Sequence, residues 1–199
     1  MDNPAPDWLD VSRETLAKLN HFSDQARRWN AAINLVSKSS IEVIWQRHVL
    51  DSAQLFDLGH PEDTWLDIGS GGGFPGIVLA IMGAQKMVLV ESDQRKAAFL
   101  REMVRQLSLS VVVHAKRIDQ LGPLKAKTVS ARALASLTEL LAHATPHLAQ
   151  DGVAVFPKGR NCDAEIDAAL EKWRFDVEKR PSKTDENAAV LVIRNIETR

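Results

Sequence analysis

Trp65-Leu66-Asp67-Ile68-Gly69-Ser70-Gly71-Gly72-Gly73-Phe74-Pro75-Gly76-Ile77-Val78-Leu79-Ala80 decides the fold. Apolar, strand-type residues end at Ile68. Five glycines then fall within eight positions, a density that no strand or helix interior tolerates cheaply. Pro75 suits the first turn of a helix, where its missing N–H loses no bond. The stretch reads as strand, bare turn, helix. Free N–H groups and the positive helix end then point at whatever sits in the turn.

Downstream, strands and helices alternate. Strands are predicted at 64–68, 87–91, 111–115, 127–131 and 153–156. Helices are predicted at 75–83, from Asp93 as cap to Leu107, at 136–149 and at 162–173. The runs 175–179 and 188–194 read as an antiparallel hairpin across a polar loop. This order implies an α/β, Rossmann-like, mostly parallel sheet covered on both faces. Ligands on such sheets sit beyond the carboxyl ends of the strands. Upstream, residues 1–11 read as a loose arm, and Ser12 caps a helix to Asn30. Its apolar stripe is Leu16, Leu19, Phe22, Ala26 and Trp29. Ser39 and Glu42 form a capping-box pattern for a helix over 41–48, continued after a kink to Leu58. Gly59-His60-Pro61 ends this part. The expected division is a helical N-terminal extension, 1–60, ahead of a second unit, 61–199.

The chain has 199 residues, 45% hydrophobic and 26% charged, enough for a real core. A net charge of −1 gives no global attraction to nucleic acid, so a polyanion needs a local basic patch. The single cysteine, Cys162, excludes an internal disulfide and fits a reducing cytoplasm. The acidic, proline-bearing start does not read as a signal peptide. No apolar run approaches the ~20 residues of a membrane span. Histidine and cysteine form no cluster, so no metal is expected.

Two frames compete at the glycine turn. Gly71-Gly72-Gly73-Phe74-Pro75-Gly76 satisfies G-x-G-x-x-G, with Glu91 20 residues after Gly71, as a dinucleotide site asks. The other frame is Asp67-x-Gly69-x-Gly71, the first motif of S-adenosylmethionine (SAM)-dependent methyltransferases. An acid just before the turn repels a pyrophosphate, whereas SAM carries a cationic amino group and sulfonium. Asp67 favours SAM. Glu91 can take ribose hydroxyls in either frame. Ile118 can flank an adenine while Asp119 accepts from its amino group or orders the turn.

Further motifs narrow this. They are Trp29-Asn30 with Asn34-Leu35, His48-x-x-Asp51-Ser52, the glycine turn, and Leu89-Val90-Glu91-Ser92. Lys96-x-x-Phe99-Leu100, Ser130-x-Arg132-Ala133 and Lys158-Gly159 follow. Together they resemble the bacterial 16S ribosomal RNA guanine-N7 methyltransferase family, also called glucose-inhibited division protein B, over about residues 29–160. The resemblance implies a SAM-dependent methyltransferase sheet, SAM as donor, and 16S rRNA of the small subunit or its precursor as partner. It implies the N7 of a guanosine in the decoding-centre loop, nucleotide 527, as acceptor. It puts Gly69, Phe74, Ile118, Asp119 and Arg132 at cofactor-contact positions. Asp119 stands where many relatives carry Glu, which shortens its reach.

Guanine N7 has a lone pair and no proton, so its methylation needs no general base. The fourth strand ends in Ser130-Ala131-Arg132, not in the Asn/Asp-Pro-Pro-aromatic run of amino-group methyltransferases. Cys162 lies beyond strand five, which leaves a cysteine-nucleophile mechanism without a candidate. No catalytic base is therefore named; Arg132 and Lys158 are candidates for positioning. The expected RNA rim is Arg132, Lys158, Arg160 and His48, with Arg27, Arg28 and Arg47 adding charge. His48 with Asp51 and Ser52 also reads as a local hydrogen-bond cluster that fixes the extension. A methyltransferase for a small molecule or protein, and a non-catalytic SAM- or RNA-binding module, remain alternatives. Gly69→Val is expected to abolish SAM binding in equilibrium dialysis, and undiminished binding would refute the Asp67–Gly69 frame.

Overall fold

The computed structural model describes residues 3–199; Met1 and Asp2, the start of the expected arm, lie outside the described residues. The rest of the arm is not loose. The Asn3 backbone N–H and side-chain amide both donate to Asn20 Oδ1 at 2.8 Å, and Leu9 is buried. α1 (Arg13–Ile33) starts where expected, with the Thr15 N–H donating to Ser12 Oγ. It runs three residues past Asn30 and stops at Asn34, whose φ of 45° ends the helical path. Leu19, Phe22 and Ala26 of its stripe are fully buried, each removing apolar surface from water.

The next segment departs from expectation. α2 (Lys38–Ile41) has Ser37 at its N-cap position, with no side-chain capping bond, so Ser39 sits inside the helix and no Ser39–Glu42 box forms. The hydroxyls of Ser37, Ser39 and Ser40 bond one another instead. The continuous helix expected over 41–48 becomes a π-helical turn, Trp45–Leu50, leading into α3 (Asp51–Ala53) and a 3-10 turn at Phe56–Leu58. A π turn inserts one extra residue per ring, and such turns concentrate at functional sites.

β1 (Thr64–Ile68), α4 (Gly76–Met82), β2 (Lys86–Val90), α5 (Gln94–Gln106) and β3 (Val111–His114) follow. Asp93 caps α5 as expected, accepting from the Arg95 and Lys96 N–H groups. After β4 (Ala126–Ala131), α6 (Leu137–Ala144) is shorter than predicted, because Thr145–His147 around Pro146 tightens into a 3-10 turn. α6 also carries an unforeseen capping box, Ser136 with Glu139. β5 (Leu148–Lys158) begins five residues before the expected 153; a register shift absorbs the Asp151-Gly152 turn signal into the strand. α7 (Cys162–Leu170), β6 (Trp173–Pro181) and β7 (Ala189–Thr198) complete the chain.

The seven strands lie in the order β3-β2-β1-β4-β5-β7-β6. β1 to β5 are parallel, and β7 runs antiparallel between β5 and β6. Strand alternation divides the core. Trp65, Leu89 and Val155 face one side with Phe22 of α1, Leu79 of α4 and Phe99 of α5. Leu66, Ile68 and Phe156 face the other side with Leu137 and Leu141 of α6. α1 shares the first of these apolar clusters with the sheet. Among the described residues, no helix is long and apolar enough to cross a membrane.

Candidate functional site

The chain path from β1 runs outward to β2 and β3, then returns to β4 and β5 on the other flank. The strand order therefore reverses between β1 and β4, and a crevice must open at their carboxyl ends. A cavity of about 820 Å³ lies there. The glycine turn, Glu91, the π turn, the residues after β4 and the loop joining β6 to β7 line it.

Asp67 shapes the turn from beneath. It is fully buried on the α4 side of β1. Its Oδ1 accepts from Ser130 Oγ at 2.8 Å, and Oδ2 accepts from the Gly76 N–H at 3.3 Å. Ser130 in turn accepts from Trp65 Nε1 at 3.0 Å. Burial pushes the carboxyl up to about 6, against the lowering effect of the Ser130 and Gly76 hydrogen bonds. A side chain at Gly76 would strike Leu89 and this carboxylate, so only glycine lets the helix end come so near. Gly69, at φ +67°, bends the chain off β1 while its N–H still donates to the Val90 carbonyl at 2.9 Å. Asp67 does not line the cavity. Its hydrogen bonds tie β4 and the start of α4 to β1.

Glu91 caps the β2 side. Oε2 accepts from the Gly71 N–H at 2.8 Å and Oε1 from the Asp93 N–H at 2.7 Å. Two bonds leave lone pairs on this carboxylate for hydroxyl donors in the cavity.

The β4 side is aromatic and cationic. The Phe74 ring lies 5.0 Å from Phe22 and 5.1 Å from His48, with the Arg132 guanidinium 5.4 Å from its centroid. Arg132 donates to the Arg47 carbonyl at 3.0 Å and stands 3.8 Å from Asp51. Asp51 Oδ1 accepts from Gln54 at 2.8 Å and from Thr184 at 2.9 Å, and the Lys183 N–H donates to Gln54 Oε1. The β6–β7 loop thus fixes the residue that faces Arg132. Ser52 donates to the His48 carbonyl, so the expected His48–Asp51–Ser52 cluster exists through backbone rather than the imidazole. Both His48 ring nitrogens are without a hydrogen-bond partner among the described residues.

The other expected residues are placed as follows. Lys158 lines the cavity, but its side chain is only 8% exposed and its Nζ lies 2.7 Å from Glu165. Arg160 is exposed and lies outside the cavity lining. Ile118 is buried against the α6 side of the sheet, and Asp119 is paired with Arg117 at 3.1 Å; neither lines the cavity. Arg27 is paired with Asp24, and Arg28 is exposed. Among the described residues, no group of three or more His, Cys, Asp or Glu is arranged to hold a metal. Sequence reasoning missed Glu165, Gln54, Leu134 and the β6–β7 loop, because no local pattern marks a residue whose partner lies on a distant element.

Burial, then the nearby Arg132 and Arg47 charges, hold the His48 imidazole down to about 3 from an ordinary 6.5. Between those values the unfolded chain binds a proton that the folded chain refuses. This contribution to stability is complete above pH 6.5 and is lost as the pH falls toward 3. His48→Phe should flatten urea-melt stability against pH across that window. A ring titration near 6.5 by NMR would show the imidazole to be solvated.

A family model described as rRNA small subunit methyltransferase G matches residues 15–191. A protein of Cereibacter sphaeroides named ribosomal RNA small subunit methyltransferase G is 54% identical, covering 94% of this chain and 92% of its own length. One of the same name from Ruegeria sp. is 48% identical over 95% of each. The fold resembles M. jannaschii TYW2 in complex with AdoMet, at TM-score 0.59 and 16% identity, over 82% of this chain and 77% of that one. It also resembles a TehB-like SAM-dependent methyltransferase from Corynebacterium glutamicum, at TM-score 0.60 and 14% identity, over 87% of this chain and 97% of that one. The parallel sheet, the glycine turn at its switch point and this near full-length similarity together place the chain in the rRNA small subunit methyltransferase G family.

Proposed function

We propose that this chain transfers the methyl group of SAM to the N7 of a guanosine in 16S rRNA, at the decoding-centre loop position, nucleotide 527. The rRNA acceptor rests on the near full-length similarity to proteins named ribosomal RNA small subunit methyltransferase G, and the cofactor-and-acceptor arrangement on one cavity with two unlike walls. A bare-backbone cradle with an acid at its edge lies on the β1–β2 side, and an Arg132–His48–Phe74 cluster lies on the β4 side.

The residues present fit SAM. Gly71, where an added Cβ would meet nothing closer than 3.7 Å, admits a ligand against backbone, and Glu91 has acceptor capacity for two ribose hydroxyls. Ile118 and Asp119 follow β3, the strand beside β2, and it is the family resemblance that assigns them to the adenine. The volume of about 820 Å³ sits high in the range of small-molecule sites and leaves room for a base beside the cofactor. Bound SAM supplies a methyl on a sulfonium, which reacts in line with a lone pair.

Guanine N7 brings that lone pair itself, so the task of the protein is to position and desolvate. Arg132, held by the Arg47 carbonyl and Asp51, is a fixed donor at the acceptor wall. His48, its ring nitrogens buried and without a partner among the described residues, backs the Phe74 ring at this wall. Arg47 and Lys96 line the cavity and Arg160 is exposed nearby along the chain from β5, which gives a rim of cations for phosphates.

Incubation with labelled SAM and unmodified small ribosomal subunits should place the label on RNA. The product should show reduction-dependent strand scission, as 7-methylguanosine does. Label on protein, or on adenine or cytosine, would overturn the assignment.

A further inference from the structure

We propose that Lys158 and Glu165 are positioning residues that clamp the segment 133–136 over the glycine turn, and so govern affinity for the cofactor rather than for RNA. The inference rests on the SAM reading of the cavity.

The segment needs holding. β4 ends at Ala131, and α6 does not begin until Leu137. Between them Ala133 has φ +50°, a left-handed conformation that an alanine keeps only when its surroundings impose it. Leu134 is 44% exposed, an uncommon place for a large apolar side chain, and it is not adrift. It lies directly over Gly69: a Cβ added there would be 2.8 Å from Leu134 Cδ1. Leu134 therefore roofs the bare backbone at the point where β1 opens into the cavity.

Two side chains from other elements tie this segment down. Lys158, at the end of β5, donates from Nζ to the Ala135 carbonyl at 3.3 Å. Glu165, in the first half of α7, accepts from the Leu137 N–H at 2.9 Å through Oε2. The same oxygen meets Lys158 Nζ at 2.7 Å. One carboxylate and one ammonium thus bridge β5, α7 and the C-terminal side of the roof, at Ala135 and Leu137. The Lys158 side chain is 8% exposed and that of Glu165 31%. Charge-assisted bonds in such a place are stronger and less screened than a surface pair. An ammonium turned inward onto a carboxylate and a carbonyl also has little left to offer a phosphate. If the clamp is cut, the roof is free to leave Gly69, and cofactor binding must bear the entropy of ordering it again.

Lys158→Met and Lys158→Arg separate the roles. In Lys158→Met, the dissociation constant for SAM, measured by calorimetry on the full chain, should rise ~10-fold, the loss of about one charge-assisted bond. Amide hydrogen exchange over 133–137 should speed up without ligand. RNA affinity should stay within about two-fold, and the rise should appear in KM for SAM rather than in kcat. Lys158→Arg should recover most of the SAM affinity, and circular dichroism checks that each variant is folded. Unchanged SAM affinity with weakened RNA binding would overturn the clamp and make Lys158 an RNA contact. Unchanged exchange over 133–137 would overturn it as well. If SAM affinity shifts as stated but no small-subunit RNA is methylated, the clamp stands and the acceptor assignment fails. If the wild type takes up no SAM, the cofactor reading fails, and exchange over 133–137 still decides whether Lys158 holds the segment.

Discussion

Much of the site depends on one buried carboxylate. Asp67 joins three elements at the switch point of the sheet: its own β1, β4 through Ser130, and the start of α4 through the Gly76 N–H. A charge in that position is costly unless every lone pair in reach is used. Here the donors are supplied by a hydroxyl that is itself fixed by the Trp65 indole N–H, and by an otherwise orphaned helix-start N–H. The constraint runs outward from there. Gly76 must lack a side chain for its N–H to reach Asp67, and Gly69 must take a positive φ for the chain to clear β1. The glycines answer to the acid below them as much as to any ligand above.

From that centre the cavity is assembled out of pieces distant in sequence. Glu91 comes from β2 and fixes Gly71. Arg132 comes from β4 and is steadied by the π turn and Asp51. Asp51 is held by Thr184 on the β6–β7 loop. The added helices of the N-terminal part bury Phe22 beside Phe74, so the same packing that closes the core supports the aromatic wall of the site. Folding and site geometry are therefore one problem in this chain: a shift of α1 would be felt at Phe74, and a shift of the C-terminal hairpin at Arg132.

Local features were legible in the sequence because their signals are local. The strand 64–68, the glycine turn and the Asp93 cap stand where composition and spacing put them. Ser12 caps α1 as its position before an apolar stripe implies. The misses have a common physical source. Ser39-x-x-Glu42 satisfies a capping pattern, yet the helix starts two residues earlier, with Ser37 at the N-cap position. Asp151-Gly152 has turn composition, yet β5 carries it as an irregularity between the pairs Ala126–Leu148 and Thr128–Val153. Nor does any local pattern mark Glu165 of α7 as the partner of Lys158, or Ser130 of β4 as the partner of Asp67. Sequence patterns report what a residue is and how often it recurs. They do not report which partner a parallel sheet will set beside it.

In the proposed reaction one cavity holds the cofactor on the Glu91 side and presents its methyl group toward Arg132, His48 and Phe74. A crystal structure of the chain with SAM tests it most directly. Ribose hydroxyls are expected within hydrogen-bond distance of Glu91, the cofactor backbone-close at Gly71, and the methyl directed at the Arg132 wall. A cofactor bound elsewhere, or one whose methyl points away from that wall, would contradict it.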